Sequence, residues 1–143
     1  MSRRLAVRRL IGIDYGRKRL GIAVTDPLGI TVQGQPTLIA SGLDDAVSQV
    51  ADFAGRHAVG AIVIGLPLNM NGTRGEMAKE VERFGQAVES VTGMKVTYWD
   101  ERLTSEQAKA VLQQRGETSR ERGDIDRVAA CLMLESFLRA NQT

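Results

Sequence analysis

With a single cysteine, Cys131, the chain of 143 residues can form no internal disulfide, and a lone thiol suits a reducing compartment. Its single histidine, His57, leaves too few soft or imidazole ligands for a zinc centre. No apolar run approaches the roughly eighteen residues that a membrane helix needs. The basic start Arg3-Arg4 meets Arg8 and Arg9 rather than an uncharged stretch, so no signal peptide is expected and the cytoplasm is the expected compartment. Aromatic residues make up only 4%, which argues against recognition built on stacking platforms. Neither GxxxxGK[ST] nor GxGxxG occurs, which removes nucleotide binding through those loops. No repeat and no compositional break divides the chain, so one domain over residues 1–143 is expected, with 1–8 as a basic arm.

What is present is ordinary in amount and uneven in place. Hydrophobic residues at 43% and charged ones at 25% suit a globular domain. Net charge is only +2, yet Arg3, Arg4, Arg8, Arg9, Arg17, Lys18 and Arg19 face a single acid, Asp14, over the first nineteen positions. Arg115, Arg120, Arg122 and Arg127 form a second cluster. Positive charge gathered this way, in a chain of isoelectric point about 9.0, points to a polyanionic partner.

Hydrophobic periodicity sets the organisation. Leu10–Ile13 and Leu20–Val24 are two short apolar runs around the turn Gly16-Arg17-Lys18-Arg19, the pattern of a β-hairpin with strands over residues 9–15 and 20–26. After the turn Asp26-Pro27-Leu28-Gly29, residues 30–39 make a third strand, whose Pro36 calls for an edge position or a bulge. Leu43, Val47, Val50 and Ala54 recur at helical spacing, with Ser41 or Asp44 as cap. Residues 59–66 (VGAIVIGL) read as a strand covered on both faces. Thr73 and Glu76 form a capping-box pattern ahead of a helical stripe, Met77, Val81, Phe84, Val88 and Val91. Residues 94–99 read as a fifth strand, 104–114 as a third helix, 115–123 as a mobile loop and 125–140 as a last helix with Asp124 as N-cap. The order is an antiparallel meander extended by parallel strands through helical crossovers: an α/β fold with a mixed five-stranded sheet, βββαβαβα plus a C-terminal helix, flanked by helices.

Three acids stand at the ends of elements whose apolar residues should pack together. Asp14 ends the first strand. Asp100 and Glu101 end the fifth and point to opposite faces, so only one can join Asp14. Asp126 heads the last helix in line with Ala129, Ala130, Met133 and Phe137. Carboxylates brought together there repel unless divalent cations join them, and oxygen ligands suit Mg²⁺ or Mn²⁺. Paired ions of this kind serve phosphodiester hydrolysis. The loop over 67–73, with Asn69, Asn71, Gly72 and Thr73, runs into a helix N-terminus that favours a backbone phosphate. Arg17, Lys18, Arg19, Arg102, Arg120 and Arg122 are the cationic candidates for further phosphate contacts, with Arg120 and Arg122 on a loop that closes over substrate.

Four segments together resemble the YqgF family, also called RuvX, whose fold is like ribonuclease H and the RuvC resolvases. They are Gly12-Ile13-Asp14-Tyr15-Gly16 with Gly21-Ile22-Ala23-Val24, the run from Gly65 to Gly72, Asp100-Glu101-Arg102-Leu103-Thr104, and Asp126-Arg127-Val128-Ala129-Ala130. The resemblance implies a metal-dependent nuclease with Asp14, Glu101 and Asp126 as both catalytic and metal-binding triad. It implies action on precursor 16S ribosomal RNA in 5′-end maturation, or alternatively on four-way DNA as a Holliday-junction resolvase. RuvC-type sites carry a fourth carboxylate one helical turn after the third; here Ala129 or Ala130 takes that place. A phosphate-binding ATPase-like domain and a non-catalytic nucleic-acid-binding module are the competing readings. Resolving a symmetric junction calls for a two-fold axis, so a homodimer is the assembly that reading implies. No membrane partner is expected.

Overall fold

The computed structural model describes residues 8–103 and 122–141. Its elements are β1 (Arg9–Tyr15), β2 (Arg19–Thr25), β3 (Val32–Ile39), α1 (Leu43–Arg56), β4 (Val59–Leu66), α2 (Glu76–Thr92), β5 (Val96–Asp100), a 3-10 turn (Glu101–Leu103) and α3 (Arg122–Ala140). The expected helix over 104–114, residues 115–121 of the expected loop and residues 1–7 of the arm lie outside the described residues. The strands form one five-stranded sheet in the order β3-β2-β1-β4-β5. β1 pairs antiparallel with β2 and parallel with β4, which pairs parallel with β5. This is the expected α/β architecture with a mixed sheet.

Alternation along the strands decides which residues meet which helices. Ile11, Ile13, Leu20, Ile22, Val24, Ile62 and Ile64 pack with Val50, Phe53, Val81, Phe84 and Val88 of α1 and α2. The opposite face, with Ala23 and Val63, meets Ala130, Met133 and Leu134 of α3. Asp14, two positions from Gly12 along β1, shares that second face. β3 lies at the edge, and its register against β2 slips between Ile22↔Gln35 and Leu20↔Leu38. Pro36 and Thr37 fall in that slip, the irregular edge position that a residue without an amide proton requires.

Several expected boundaries move, each for a local reason. Thr73 and Glu76 do not form a capping box: α2 is capped by Gly75 with no side-chain bond. The Thr73 hydroxyl instead bonds the Asn71 carboxamide at 2.6 Å, inside its own loop. Likewise Gly42, not Ser41 or Asp44, caps α1, because Ser41 gives both its amide and its hydroxyl to Asp45. α3 is described from Arg122 onward, so Asp124 lies inside the helix rather than before it. β5 ends at Asp100, which puts Glu101 at the head of the 3-10 turn. Arg8 is tied back to β4 through the Gly60 carbonyl at 3.0 Å.

Candidate active site

Asp14 and Glu101 meet where β1 and β5 flank β4. The strand between them makes this possible: a side chain at Gly65 would meet Glu101 Oε2 at 2.6 Å, so glycine leaves room for the carboxylate above the sheet. The two carboxyl groups lie close enough to interact, which favours the neutral form of Asp14. Burial first, and then the charges of Glu101 and Asp126, push Asp14 up to about 7. Burial, together with the neighbouring Asp100 charge, also raises Glu101, against the lowering effect of Asp14. Asp100 itself is turned away. It is held by the Arg102 guanidinium, whose bonds at 2.8–3.1 Å keep its carboxyl below the usual range. Of the two neighbouring acids, Glu101 is the one that joins Asp14.

Asp126 reaches the same face from α3. Gly21, paired with Asp14 across the hairpin, lies directly beneath it. Any side chain at Gly21 would collide with the Asp126 backbone carbonyl, so the bare strand sets how closely α3 comes to the sheet. Leu134, fully buried, repeats this contact over Gly12. The Asp126 carboxylate is close enough for its charge to raise Asp14, yet its Oδ2 is engaged by Arg19 Nε at 3.1 Å.

Three carboxylates have the chemistry of a hard divalent-cation site, where a cation cancels the repulsion that burial and proximity impose on them. The residues therefore fit such an ion. Among the described residues no three His, Cys, Asp or Glu side chains stand ready as a metal-holding group. The third carboxylate is on Arg19. Close by, the indole nitrogen of Trp99 is buried without an acceptor among the described residues, and its ring meets Phe137 edge-on at 5.5 Å.

The sequence profile of the RuvX family, described as Holliday junction resolvase, matches residues 8–140. The chain belongs to the RuvX family. Relatives named "Putative pre-16S rRNA nuclease" include one from Syntrophus aciditrophicus, 41% identical over 92% of this chain and 89% of that protein. Another, from Endomicrobium trichonymphae, is 42% identical over 91% of this chain and 94% of the relative. Among solved structures, Thermus thermophilus RuvC in complex with a Holliday junction substrate superposes with a TM-score of 0.62 at 18% identity, covering 95% and 98% of the two chains. The fowlpox virus Holliday junction resolvase does so with 0.56 at 13% identity, covering 92% and 99%. The RuvC-like fold of this RuvX family member agrees with the sheet order above.

Around the acids the phosphate candidates divide. Asn69, Asn71, Gly72 and Thr73 form a loop bonded to itself: Gly72 N–H to the Asn69 carbonyl at 2.8 Å, and the Asn69 carboxamide to the Thr73 hydroxyl at 2.9 Å. Arg102 braces that loop through the Met70 carbonyl at 3.1 Å and holds Asp100 with the rest of its fork. Arg17 pairs with Glu80 at 2.8 Å, a carboxyl that also accepts from Tyr15 at 2.9 Å. Burial first and then Glu80 push that phenol up to about 12. Lys18 is exposed. Arg120 lies outside the described residues, and Arg122 is the first described residue of α3. No helix among the described residues is long and apolar enough to cross a membrane. Gly21 and Gly65 appear in the sequence only as motif positions, and neither their spacing roles nor the Arg19–Asp126 pairing is among the expectations from sequence. Glycine inside an apolar strand was the available signal for the first two, since it marks close approach.

Proposed function

We propose that the chain is a metal-dependent endonuclease acting in 5′-end maturation of precursor 16S ribosomal RNA. The observation that carries this is the convergence of Asp14, Glu101 and Asp126, from three distant segments, on one face of the sheet. The names of relatives at about 40% identity over nearly the full chain support the choice of substrate. Asp14, Glu101 and Asp126 would hold Mg²⁺ or Mn²⁺. When bound, such a cation supplies an activated water and charge stabilisation at the leaving oxygen. The chain's own residues do the rest. Gly65 and Gly21 let Glu101 and α3 close on Asp14, Lys18 offers charge to the backbone, and Arg102 keeps the 67–73 loop in shape beside the site. Ala129 and Ala130 add no oxygen, so a second cation would have fewer protein ligands than in a four-carboxylate site.

A second reading, resolution of four-way DNA, is favoured by the description of the family as Holliday junction resolvase. The test is cleavage of a precursor 16S rRNA transcript and of a four-way junction side by side, with Mg²⁺ and with Mn²⁺, by wild type and Asp14→Asn. Metal-dependent cleavage of the RNA that Asp14→Asn lacks is expected. Faster cutting of the junction would transfer the proposal to the second reading, and no cutting of either would end the nuclease reading.

A further inference from the structure

Arg19 does not sit with its neighbours in the basic turn. Register puts Leu20 against Tyr15 and Gly21 against Asp14, so Arg19 and Gly21 share the face of the sheet on which the acids gather. Its guanidinium bonds Asp126 at 3.1 Å, with side-chain exposures of 34% and 27% for the two partners. Arg17, by contrast, is 68% exposed and reaches Glu80 of α2, on the other side of the sheet. Of the three acids, Asp126 is the one with a cationic partner among the described residues: its Oδ2 is engaged by Arg19. We propose that Arg19 is the counter-ion of Asp126 in the metal-free protein and that a divalent cation must displace it, which makes Arg19 a positioning residue that sets metal affinity.

The physical basis is exclusion. An oxygen of Asp126 that accepts from Arg19 is turned to the guanidinium, and a divalent cation among the three carboxylates would repel that guanidinium at close range. The pair is about one-third exposed, so its worth is modest and reversible, as a displaceable ligand cap requires. Arg19 also neutralises part of the acid cluster while no cation is present, limiting the repulsion that α3 must overcome to pack over Gly21. Once displaced, it remains beside the site as a free cation.

The proposal rests on the metal-site reading above, and its test uses binding without any nucleic acid. Mn²⁺ is titrated into the full chain, followed by calorimetry and by the emission of Trp99, the only tryptophan, which lies one strand residue from Asp100. Arg19→Gln is expected to tighten Mn²⁺ binding by about two- to five-fold, the range for a partly exposed ion pair. The same substitution in an Asp126→Asn background should change nothing, a readout that a merely structural role of Arg19 would not produce. Arg17→Gln, which removes a charge from the same turn but not from Asp126, should leave the affinity unchanged. Equal or weaker binding in Arg19→Gln, or an equal gain in Arg17→Gln, would overturn the proposal and leave the metal site standing. A wild type that binds no Mn²⁺ would overturn both. Should Arg19→Gln fail to fold, Arg19→Lys, which keeps the charge but loses the planar fork, reads the same competition: a smaller gain supports it and no gain overturns it.

Discussion

Asp14 is an acid whose surroundings favour its neutral form, and that has a pH signature. Its pKa is raised from 3.8 to about 7, so the folded state holds a proton that the unfolded chain releases. The stabilisation is complete below the unfolded value and is lost as pH rises through about 7. In a chelator, the melting midpoint of the wild type should therefore fall across this window, and Asp14→Asn should flatten the fall. With Mn²⁺ present the slope should reverse, because the cation binds the ionised carboxylates. A fall equally steep in Asp14→Asn would show that another group carries it. In turnover, Asp14→Asn, Glu101→Gln and Asp126→Asn should each cost more than ~100-fold, beyond the loss that follows from disturbing groups merely around a metal. Circular dichroism should show that all three still fold.

Between elements, the site depends on how closely two backbones approach. α3 rests on β1 and β2 where glycines leave space, at Gly12 beneath Leu134 and at Gly21 beneath Asp126. Gly21→Ala places a methyl group against the Asp126 carbonyl, which α3 can relieve only by lifting. That should cost about 1–3 kcal/mol of stability. It should also abolish the rise in melting midpoint with Mn²⁺, since the third ligand moves with the helix. If the metal-dependent rise survives, the close approach of α3 over Gly21 is not what sets the position of the third ligand. The 67–73 loop poses the opposite case. Arg102 ties it to β5 through Asp100, so Arg102→Ala should speed hydrogen exchange at the Gly72 and Asn69 amides while leaving Mn²⁺ affinity unchanged. Unaltered exchange would mean that the loop's own bonds, from Asn69, Asn71 and Thr73, suffice to hold it.

Across the chain as a unit, the charge that marks a polyanionic partner is already partly spent. Arg17 is neutralised by Glu80, Arg19 by Asp126 and Arg102 by Asp100, whereas Lys18 stands exposed. Affinity for nucleic acid should accordingly respond more to Lys18→Glu than to Arg17→Glu. Removing one cation that neutralises a phosphate should flatten the log–log salt dependence by about 0.7–0.9. Fluorescence anisotropy over a salt series, with RNA and with four-way DNA, measures this. An unchanged slope in Lys18→Glu would place the nucleic-acid surface elsewhere on the molecule.

Much of this was legible in the residues. Periodicity of two and runs of β-branched side chains specified the five strands, and Pro36 specified the edge, because both constraints act within a few residues of backbone. The acids were legible as strand- and helix-end carboxylates, and alternation separated Asp100 from Glu101. The choice between those two faces needed the sheet itself, with Gly65 of the neighbouring strand beneath Glu101. Tertiary structure also decided the caps: Thr73 and Ser41 had competing partners nearby, and local pattern cannot rank such competitors. Arg19 is the clearest case. In sequence it is one of three adjacent cations in a turn, with nothing to distinguish it. Its partner lies 107 positions away, and only the packing of α3 over a strand without a side chain at Gly21 brings the two within 3.1 Å.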